Sequence, residues 1–221
     1  MPRYLILDCE TSGLHVYTKK GEPPIPADDP RQPRLAAVTM IQVDGNLAIE
    51  GEGMTMLIRP TGWEISPEAS AVNGLTTEQC DLEGVDVEAV LNAYTIAVRD
   101  EERIVVAYNA QFDTKMMRGE LRRAGMDDLF LITPNICTMR SAMKLGVKKA
   151  DGKGGFPKLS DTYRHLFGEE FEGKHTSLGD AMACLRIFQH LMETGMAIEP
   201  AVHFSSTRQD APARDDAAPP V

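Results

Sequence analysis

Acidic residues stand at three places in the chain where they could do chemistry together. Asp8 and Glu10 directly follow the apolar run YLIL, with one residue between them. Asp113 ends the segment AYNAQFD, and Asp180 ends the segment HTSLGD, which begins with His175. Carboxylate oxygens are preferred ligands of hard divalent cations, and a neutral imidazole can accept a proton. These residue types can therefore assemble a metal-assisted site, provided that the fold brings the three segments together.

The spacing of Asp8 and Glu10 already constrains such a site. In a strand, residues two apart point to the same face of the sheet, so the two carboxylates are expected to lie side by side. Like charges at that distance repel and raise one pKa. Either a cation lies between the two groups, or a solvated strand end runs into an ordinary polar turn. The pair alone does not decide between these explanations.

The other two segments also allow purely structural explanations. Asp113 follows an apolar run and opens a helical pattern, so it lies either where open α/β sheets place their sites or at a simple helix cap. Asp180 falls in the first turns of a long helical pattern, where an acid also complements the helix dipole. An isolated histidine such as His175 is commonly a surface residue.

The apolar pattern predicts the elements that must position these residues. Short apolar runs predict strands, and apolar residues at helical spacing predict helices. Strands are expected at residues 4–7, 36–43, 54–58 and 104–107, and helices at residues 112–124, 159–167 and 178–192, with mainly helix and loop over residues 66–98. Strands first and strand–helix alternation later predict an α/β domain in which helices cover a mixed sheet.

Composition divides the chain into one domain and a tail. Residues 1–199 are enough for one well-filled domain, and residues 200–221, rich in Ala, Pro and Asp, are expected to form a disordered tail. Residues 15–34 contain five prolines and no apolar period, which predicts a long loop. This loop either guides or caps a ligand or is a solvated decoration.

Charge and apolar content narrow the classes of function. The formal net charge of −10 argues against binding nucleic acid through a broad basic surface, but it allows a site that gathers acids around metal ions. No apolar run is long enough to span a membrane and no signal-peptide pattern precedes Asp8, so we expect a cytoplasmic protein without a membrane partner. The widely spaced cysteines predict reduced thiols in the core. They are Cys9, Cys80, Cys137 and Cys184.

Taken together, the three acidic segments resemble the motifs of a nuclease family. An Asp-x-Glu-Thr-Ser-Gly-Leu pattern after a strand, an Asn-x-x-Phe-Asp pattern opening a helix and a His-x-x-x-x-Asp pattern occur in the order of the DnaQ-like 3′–5′ exonucleases of the DEDDh type, in the ribonuclease H-like superfamily. The matching residues are Asp8, Glu10, Thr11, Ser12, Gly13, Leu14, Asn109, Phe112, Asp113, His175 and Asp180. The resemblance covers roughly residues 3–195.

The resemblance implies a fold and an activity. The fold is a ribonuclease H-like mixed central sheet of about five strands, with the first three antiparallel, flanked by helices. The activity is 3′–5′ exonucleolytic hydrolysis of phosphodiester bonds at single-stranded or frayed ends, which releases nucleoside 5′-monophosphates. DNA is favoured over RNA, although no residue is identified that would read a 2′-hydroxyl group.

The resemblance also implies metal ligands and a general base. Two Mg²⁺ ions, for which Mn²⁺ can substitute, would be held by the four acids. Asp8 would bridge both ions. Glu10 and Asp180 would hold the ion that activates water, and Asp113 would support the second ion. His175 would be the general base that takes a proton from the attacking water.

Four further positions are implied to contact the substrate. Backbone amides near Thr11 would hold the 3′ end, and Leu14 would wedge against the terminal bases. Phe112 either stacks on a base or packs in the core, and Asn109 either hydrogen-bonds near the scissile nucleotide or holds the turn between strand and helix. The chain departs from the family in having Tyr108 where His is common, and in the length of its first loop.

Other functions remain compatible with the sequence. On the same fold, the chain could be a non-catalytic nucleic-acid-binding module or a polymerase-associated proofreading module. A two-metal phosphatase is a third alternative. The expected partners are 3′ ends of single-stranded DNA or RNA, with a polymerase or a second copy of the chain as further candidates.

Overall fold

One mixed sheet organises the described part of the chain. The computed structural model describes residues 1–19, 21–129, 132–149, 155–197 and 199–202. In these ranges the strands are β1 (Tyr4–Thr11), β2 (Leu35–Val43), β3 (Met54–Leu57), β4 (Ile104–Ala107) and β5 (Asn135–Cys137), in the spatial order β3-β2-β1-β4-β5. β2 pairs antiparallel with both β1 and β3, whereas β4 pairs parallel with both β1 and β5. The predicted fold class, with its first three strands antiparallel, is confirmed.

Seven helices within the described ranges flank this sheet. They are α1 (Pro67–Asn73), α2 (Thr77–Glu83), α3 (Val87–Thr95), α4 (Ala110–Arg123), α5 (Thr138–Lys144), α6 (Leu159–Phe167) and α7 (Ser177–Glu193). A π-helical turn at Ile96–Asp100 continues α3. The arrangement matches the ribonuclease H-like fold that the sequence predicts.

Side chains of β1 alternate between two apolar layers. Ile6 lies in the layer covered by α5, α6 and α7, whereas Leu5 and Leu7 lie in the layer covered by α3 and α4. The strand is therefore buried on both faces, which explains a continuous apolar run rather than an alternation of apolar and polar residues. By the same period of two, Asp8 and Glu10 point to the α7 side of the sheet.

The observed elements lie close to the predicted ones, with one gap. α6 coincides with its prediction, and α7 extends one residue beyond it at each end. α4 starts two residues before its predicted start and ends at Arg123, one residue before its predicted end, and Gly125 follows with a left-handed φ of 66°. The apolar pattern does not predict β5 or α5, because a strand of three residues is too short to show a period.

The long loop between β1 and β2 is fastened to α4 by a buried carboxylate. Glu120, whose side chain is 1% exposed, accepts hydrogen bonds from the Arg34 guanidinium group at 2.7 and 2.8 Å and from Arg123 at 2.9 Å. A Cβ on Gly119 would lie only 2.6 Å from the carbonyl oxygen of Ala27, so loop and helix are in direct contact. The loop has no helix or strand where it is described, as predicted, but it is bound to the domain.

Near its C-terminal end the described chain returns to the sheet, where Ala201 pairs with Asn135 of β5. The backbone N–H of Asn135 donates to the carbonyl of Ala201 at 2.8 Å, and the N–H of Ala201 donates back at 3.0 Å. Residues 203–221, most of the predicted tail, lie outside the described residues. All four cysteines are buried and free, as predicted. No helix in the described ranges is both long enough and apolar enough to cross a bilayer.

Candidate active site

Three of the four predicted acids meet between β1 and α7. One carboxylate oxygen from each of Asp8, Glu10 and Asp180 lies within 4.8 Å of the other two, and all three residues are partly buried. The period of the strand explains half of this arrangement, because Asp8 and Glu10 share the face of β1 on which α7 packs. Asp180 completes it from the first turn of α7.

Asp113 lies beside this cluster in the first turn of α4 and is 4% exposed. Its Oδ1 accepts a hydrogen bond from the backbone N–H of Cys9 at 3.0 Å. Cys9 separates the two acids of β1, so Asp113 is tied to the strand that carries them. The N-cap of α4 is Asn109, and Asp113 therefore does not cap this helix.

Burial raises the pKa of all four carboxyl groups, and repulsion from neighbouring acids adds to this effect at Asp8, Glu10 and Asp113. The pKa of Asp8 lies well above its ordinary value, first because of burial and then because of the other three acids. Burial is also the main cause that raises the pKa of Glu10 to about 7 and the pKa of Asp113 to about 7. Burial raises the pKa of Asp180 as well. Acids that resist ionisation in this way form a site that a bound cation would stabilise.

Asn73, at the end of α1, supports the acids of β1. It is 8% exposed, its Nδ2 donates to the carbonyl of Thr11 at 3.2 Å, and its Oδ1 accepts from the N–H of Leu75 at 3.0 Å. A hydrogen bond from Asn73 lowers the pKa of Glu10 and so offsets part of the effect of burial. The acidic motifs do not predict a role for this residue at the site, because it lies 62 positions from Thr11 and outside all three motifs.

His175 lies on the exposed turn that leads into α7. Its φ of 63° is in the left-handed region, which residues other than Gly rarely adopt. Its backbone N–H donates to Oδ1 of Asp180 at 3.3 Å, and a protonated His175 would lower the pKa of Asp180. The turn packs closely on the helix, since a Cβ on Gly179 would lie 2.1 Å from the carbonyl oxygen of Gly173. These contacts hold the histidine within electrostatic range of the acid cluster.

Buried hydroxyl groups fix the elements around the acids. Thr39, which faces Asp8 in the register of β1 and β2, bonds to Ser177 at the start of α7 at 2.9 Å and to Thr55 of β3 at 2.8 Å. The hydroxyl of Tyr108 donates to the carbonyl of Pro157 at 2.9 Å. The departure from the family at this position therefore ties the β4–α4 turn to the start of α6.

The four predicted substrate-contact positions differ in exposure. Leu14 is 83% exposed, whereas Phe112 is partly buried against the layer of α3 and α4. The hydroxyl of Thr11 donates to the carbonyl of Gly13 at 2.9 Å. Asn109 is exposed and its side chain makes no capping hydrogen bond, so a purely structural role at the turn is not supported by its contacts.

The donor set fits a hard divalent cation. Two ligands on opposite sides of Mg²⁺ lie about 4.2 Å apart, because each Mg–O bond is about 2.1 Å. The 4.8 Å limit on the oxygens of Asp8, Glu10 and Asp180 therefore requires little adjustment to close around one ion. Oxygen ligands without cysteine favour Mg²⁺ or Mn²⁺ over softer metals.

Solved structures of exonucleases share the fold of this chain. E. coli Exonuclease I in complex with a dT13 oligonucleotide aligns with a TM-score of 0.70 at 17% identity, over 86% of this chain and 41% of that one. A 3′-exonuclease described as recognising histone mRNA stem-loop aligns with a TM-score of 0.65 at 15% identity, over 90% of this chain and 84% of that one. The chain thus spans less than half of Exonuclease I.

Sequence comparison extends the likeness to a family. The PolC-type DNA polymerase III of Thermotoga maritima is 25% identical over 197 residues, which make up 86% of this chain and 12% of that protein. Residues 5–188 match the exonuclease family RNase_T. Because this match extends over most of the chain and includes every predicted acid, the chain belongs to the exonuclease (RNase_T) family.

Proposed function

We propose that this chain is a metal-dependent 3′–5′ exonuclease that acts on single-stranded or frayed nucleic-acid ends, with DNA favoured over RNA. It would hydrolyse phosphodiester bonds and release nucleoside 5′-monophosphates. The observation that carries the proposal is the meeting of Asp8, Glu10 and Asp180 within 4.8 Å, with the buried Asp113 beside them. Family membership supports the nuclease chemistry.

The four acids would hold two Mg²⁺ ions, with Mn²⁺ as a substitute. Bound ions would supply activation of water, neutralisation of charge on the phosphate and stabilisation of the leaving oxygen. The protein contributes the positions of the carboxylates. Asp113 is held by the N–H of Cys9, and Asp180 is held by the N–H of His175. Such fixed ligands place the scissile phosphate without reorganisation during the reaction.

His175 would act as the general base. It lies on an exposed turn, its backbone N–H donates to Asp180, and its imidazole would accept a proton from a water molecule in front of the acids. The left-handed backbone at His175 is consistent with a functional constraint, because such conformations persist where the surroundings enforce them.

The substrate end would rest on residues that follow the first and precede the second acidic motif. The exposed Leu14 would wedge against the terminal bases, and backbone amides near Thr11 would hold the 3′ end. Phe112 and Asn109 would contact the terminal nucleotide from the start of α4. With a net charge of −10, the protein depends on bound cations rather than on a basic surface to attract phosphates.

Three relatives inform the choice of substrate and partner. Exonuclease I is seen with a DNA oligonucleotide, and the PolC-type relative is a DNA polymerase, which supports DNA as the substrate and a polymerase as a partner. Because another relative is described as recognising histone mRNA stem-loop, RNA is the second substrate to test. A second copy of the chain is a further candidate partner.

Degradation of 5′-labelled single-stranded DNA and RNA of one sequence tests the proposal. Wild type should give a ladder that shortens from the 3′ end with Mg²⁺ or Mn²⁺ and no ladder with chelator. His175→Ala should reduce kcat by about 10²- to 10⁴-fold, the usual contribution of a general base. His165→Ala, which changes an exposed histidine on α6, is the matched control and should retain full activity.

Asp8→Ala decides between catalysis and binding alone. It should abolish degradation while the protein keeps its fold, and undiminished activity in this variant would refute the proposal. Intact strands with wild type under every divalent cation, combined with measurable binding of the 3′ end, would instead identify a non-catalytic module.

A further inference from the structure

Two rings of the loop between β1 and β2 form a row with the ring of Phe112, the residue before Asp113. The rings of His15 and Tyr17 meet edge to face with centroids 4.8 Å apart, and the ring of His15 meets that of Phe112 with centroids 6.4 Å apart. Both distances lie in the range of favourable aromatic pairs. Phe112 directly precedes Asp113, so the inner end of the array lies on the helix that carries this acid. We name Phe112, His15 and Tyr17 the aromatic ledge.

The outer end of the aromatic ledge is held in place although it is exposed. Tyr17 is 76% exposed. The residue between the two rings, Val16, is clamped by the buried side-chain amide of Gln32, which accepts from its N–H at 3.1 Å and donates to its carbonyl at 2.8 Å. Arg123 of α4 in turn donates to the carbonyl of Gln32 at 3.4 Å. A fixed, exposed ring loses little conformational entropy when a ligand stacks on it.

The space beneath the loop is too small for a base. A cavity of about 40 Å³ is lined by residues that include His15, Ile25 and Met116, which is room for a few water molecules at most. A ligand can therefore not insert under the loop and must use the exposed face of the ledge. Leu14, three residues before Tyr17 in the chain, is 83% exposed and adds a second apolar side chain to the exposed surface of this loop.

Charges next to the aromatic ledge differ from those of the acid cluster. Lys115 lines the same cavity as His15, and together with burial it lowers the pKa of His15, so the imidazole is neutral near neutral pH. Stacking rings beside a lysine are the usual means of holding a single strand without reading its sequence. Stacking also needs no broad basic surface, which this acidic chain does not provide.

We propose that the aromatic ledge binds an unpaired base of the substrate strand, 5′ of the nucleotide being removed. The proposal rests on the proposed exonuclease function. A strand whose 3′ end lies at the acids and passes Phe112 would reach Tyr17 with a base further from its end. The loop thereby becomes a binding element that selects unpaired strands longer than one nucleotide.

Steady-state kinetics on two substrates test this role. One substrate is a short oligothymidylate, and the other is thymidine 5′-monophosphate p-nitrophenyl ester, which has no upstream base. Tyr17→Ala should raise KM for the oligothymidylate by about 5- to 100-fold, the effect of losing one base–aromatic stack, without a comparable change in kcat. Its kcat/KM for the ester should equal that of wild type. Tyr17→Phe should retain the wild-type KM, because the ring remains.

A matched control and a binding measurement make the outcomes distinct. Leu82→Ala removes an 81% exposed apolar side chain from α2, and both KM values should stay unchanged. If Tyr17→Ala leaves the KM for the oligothymidylate unchanged, or lowers kcat/KM equally on the ester, the aromatic ledge does not bind an upstream base. The proposed exonuclease function is unaffected by either result. Should wild type hydrolyse neither substrate, the proposed function fails. Fluorescence anisotropy of labelled oligothymidylate with Ca²⁺ then still decides whether Tyr17→Ala weakens binding.

Discussion

Glutamine in place of Glu10 is expected to stabilise the metal-free protein at alkaline pH. Burial, Asp180 and Asp113 raise the pKa of Glu10 to about 7 from an ordinary value of 4.5. The folded state therefore binds a proton more tightly than the unfolded chain does, and stability is lost as pH rises from about 4.5 through about 7. This pKa shift corresponds to a loss of roughly 3 kcal/mol of folding stability at most, which is complete at pH values above about 7.

The uncharged glutamine avoids this loss while keeping the shape of the side chain and an acceptor for Asn73. Because Glu10 is partly solvated, a gain of about 2 kcal/mol is expected for Glu10→Gln near pH 8 in chelator, or roughly 4–8 °C in Tm for a chain of this length. Near pH 4.5 the stability gain of Glu10→Gln should be less than about 0.5 kcal/mol, since the Glu10 carboxyl group of wild type is then mostly protonated in the folded state.

Thermal unfolding at these two pH values, with and without Mg²⁺, checks the reasoning. Glu88→Gln, on the exposed side of α3, serves as the matched control and should leave Tm unchanged. Mg²⁺ at the higher pH should raise the Tm of wild type more than that of Glu10→Gln, because the bound cation offsets the same repulsion. A Glu10→Gln protein that is less stable than wild type in chelator near pH 8 would refute the claim that repulsion among the acids opposes folding.

Two further substitutions test what holds the site. Glu120→Gln leaves the charges of Arg34 and Arg123 without their buried partner, so the free energy of unfolding measured in urea should fall by about 3 kcal/mol and proteolysis within residues 15–34 should accelerate. Gly179→Ala places a Cβ 2.1 Å from the carbonyl oxygen of Gly173 and must shift the turn before α7, so kcat should fall by about 100-fold with a smaller change in KM. A wild-type kcat in Gly179→Ala would show that this turn does not position a catalytic group.

Strand periodicity made the centre of the site predictable. Asp8 and Glu10 are two residues apart in a strand, and this spacing alone places them side by side. For Asp180, helical spacing predicted only a position in the first turns of a long helix, near the edge of its apolar stripe, and left a surface role open. Their order along the chain, together with Asp113, linked them to one family.

Contacts between distant segments could not be predicted in this way. The bond from the N–H of Cys9 to Asp113 joins residues 104 positions apart. A glutamate on a charged helix is expected to be exposed, yet Glu120 is buried because Arg34, 86 positions away, lies against it. Whether the long loop is free or fastened depends on such contacts between distant segments, and no local pattern contains that information.

The polar groups around the acids hold an arrangement that the acids themselves oppose. Glu10 and Asp113 each have a pKa of about 7, and His175 has a left-handed backbone, so the site is unfavourable without a cation. The N–H of Cys9 and the side chain of Asn73 nevertheless keep the carboxylates in place. The unfavourable free energy of holding the carboxylates together is therefore offset during folding. Metal binding then does not have to reorganise its ligands. This explains why a domain with so acidic a site needs the deeply buried anchors found around it.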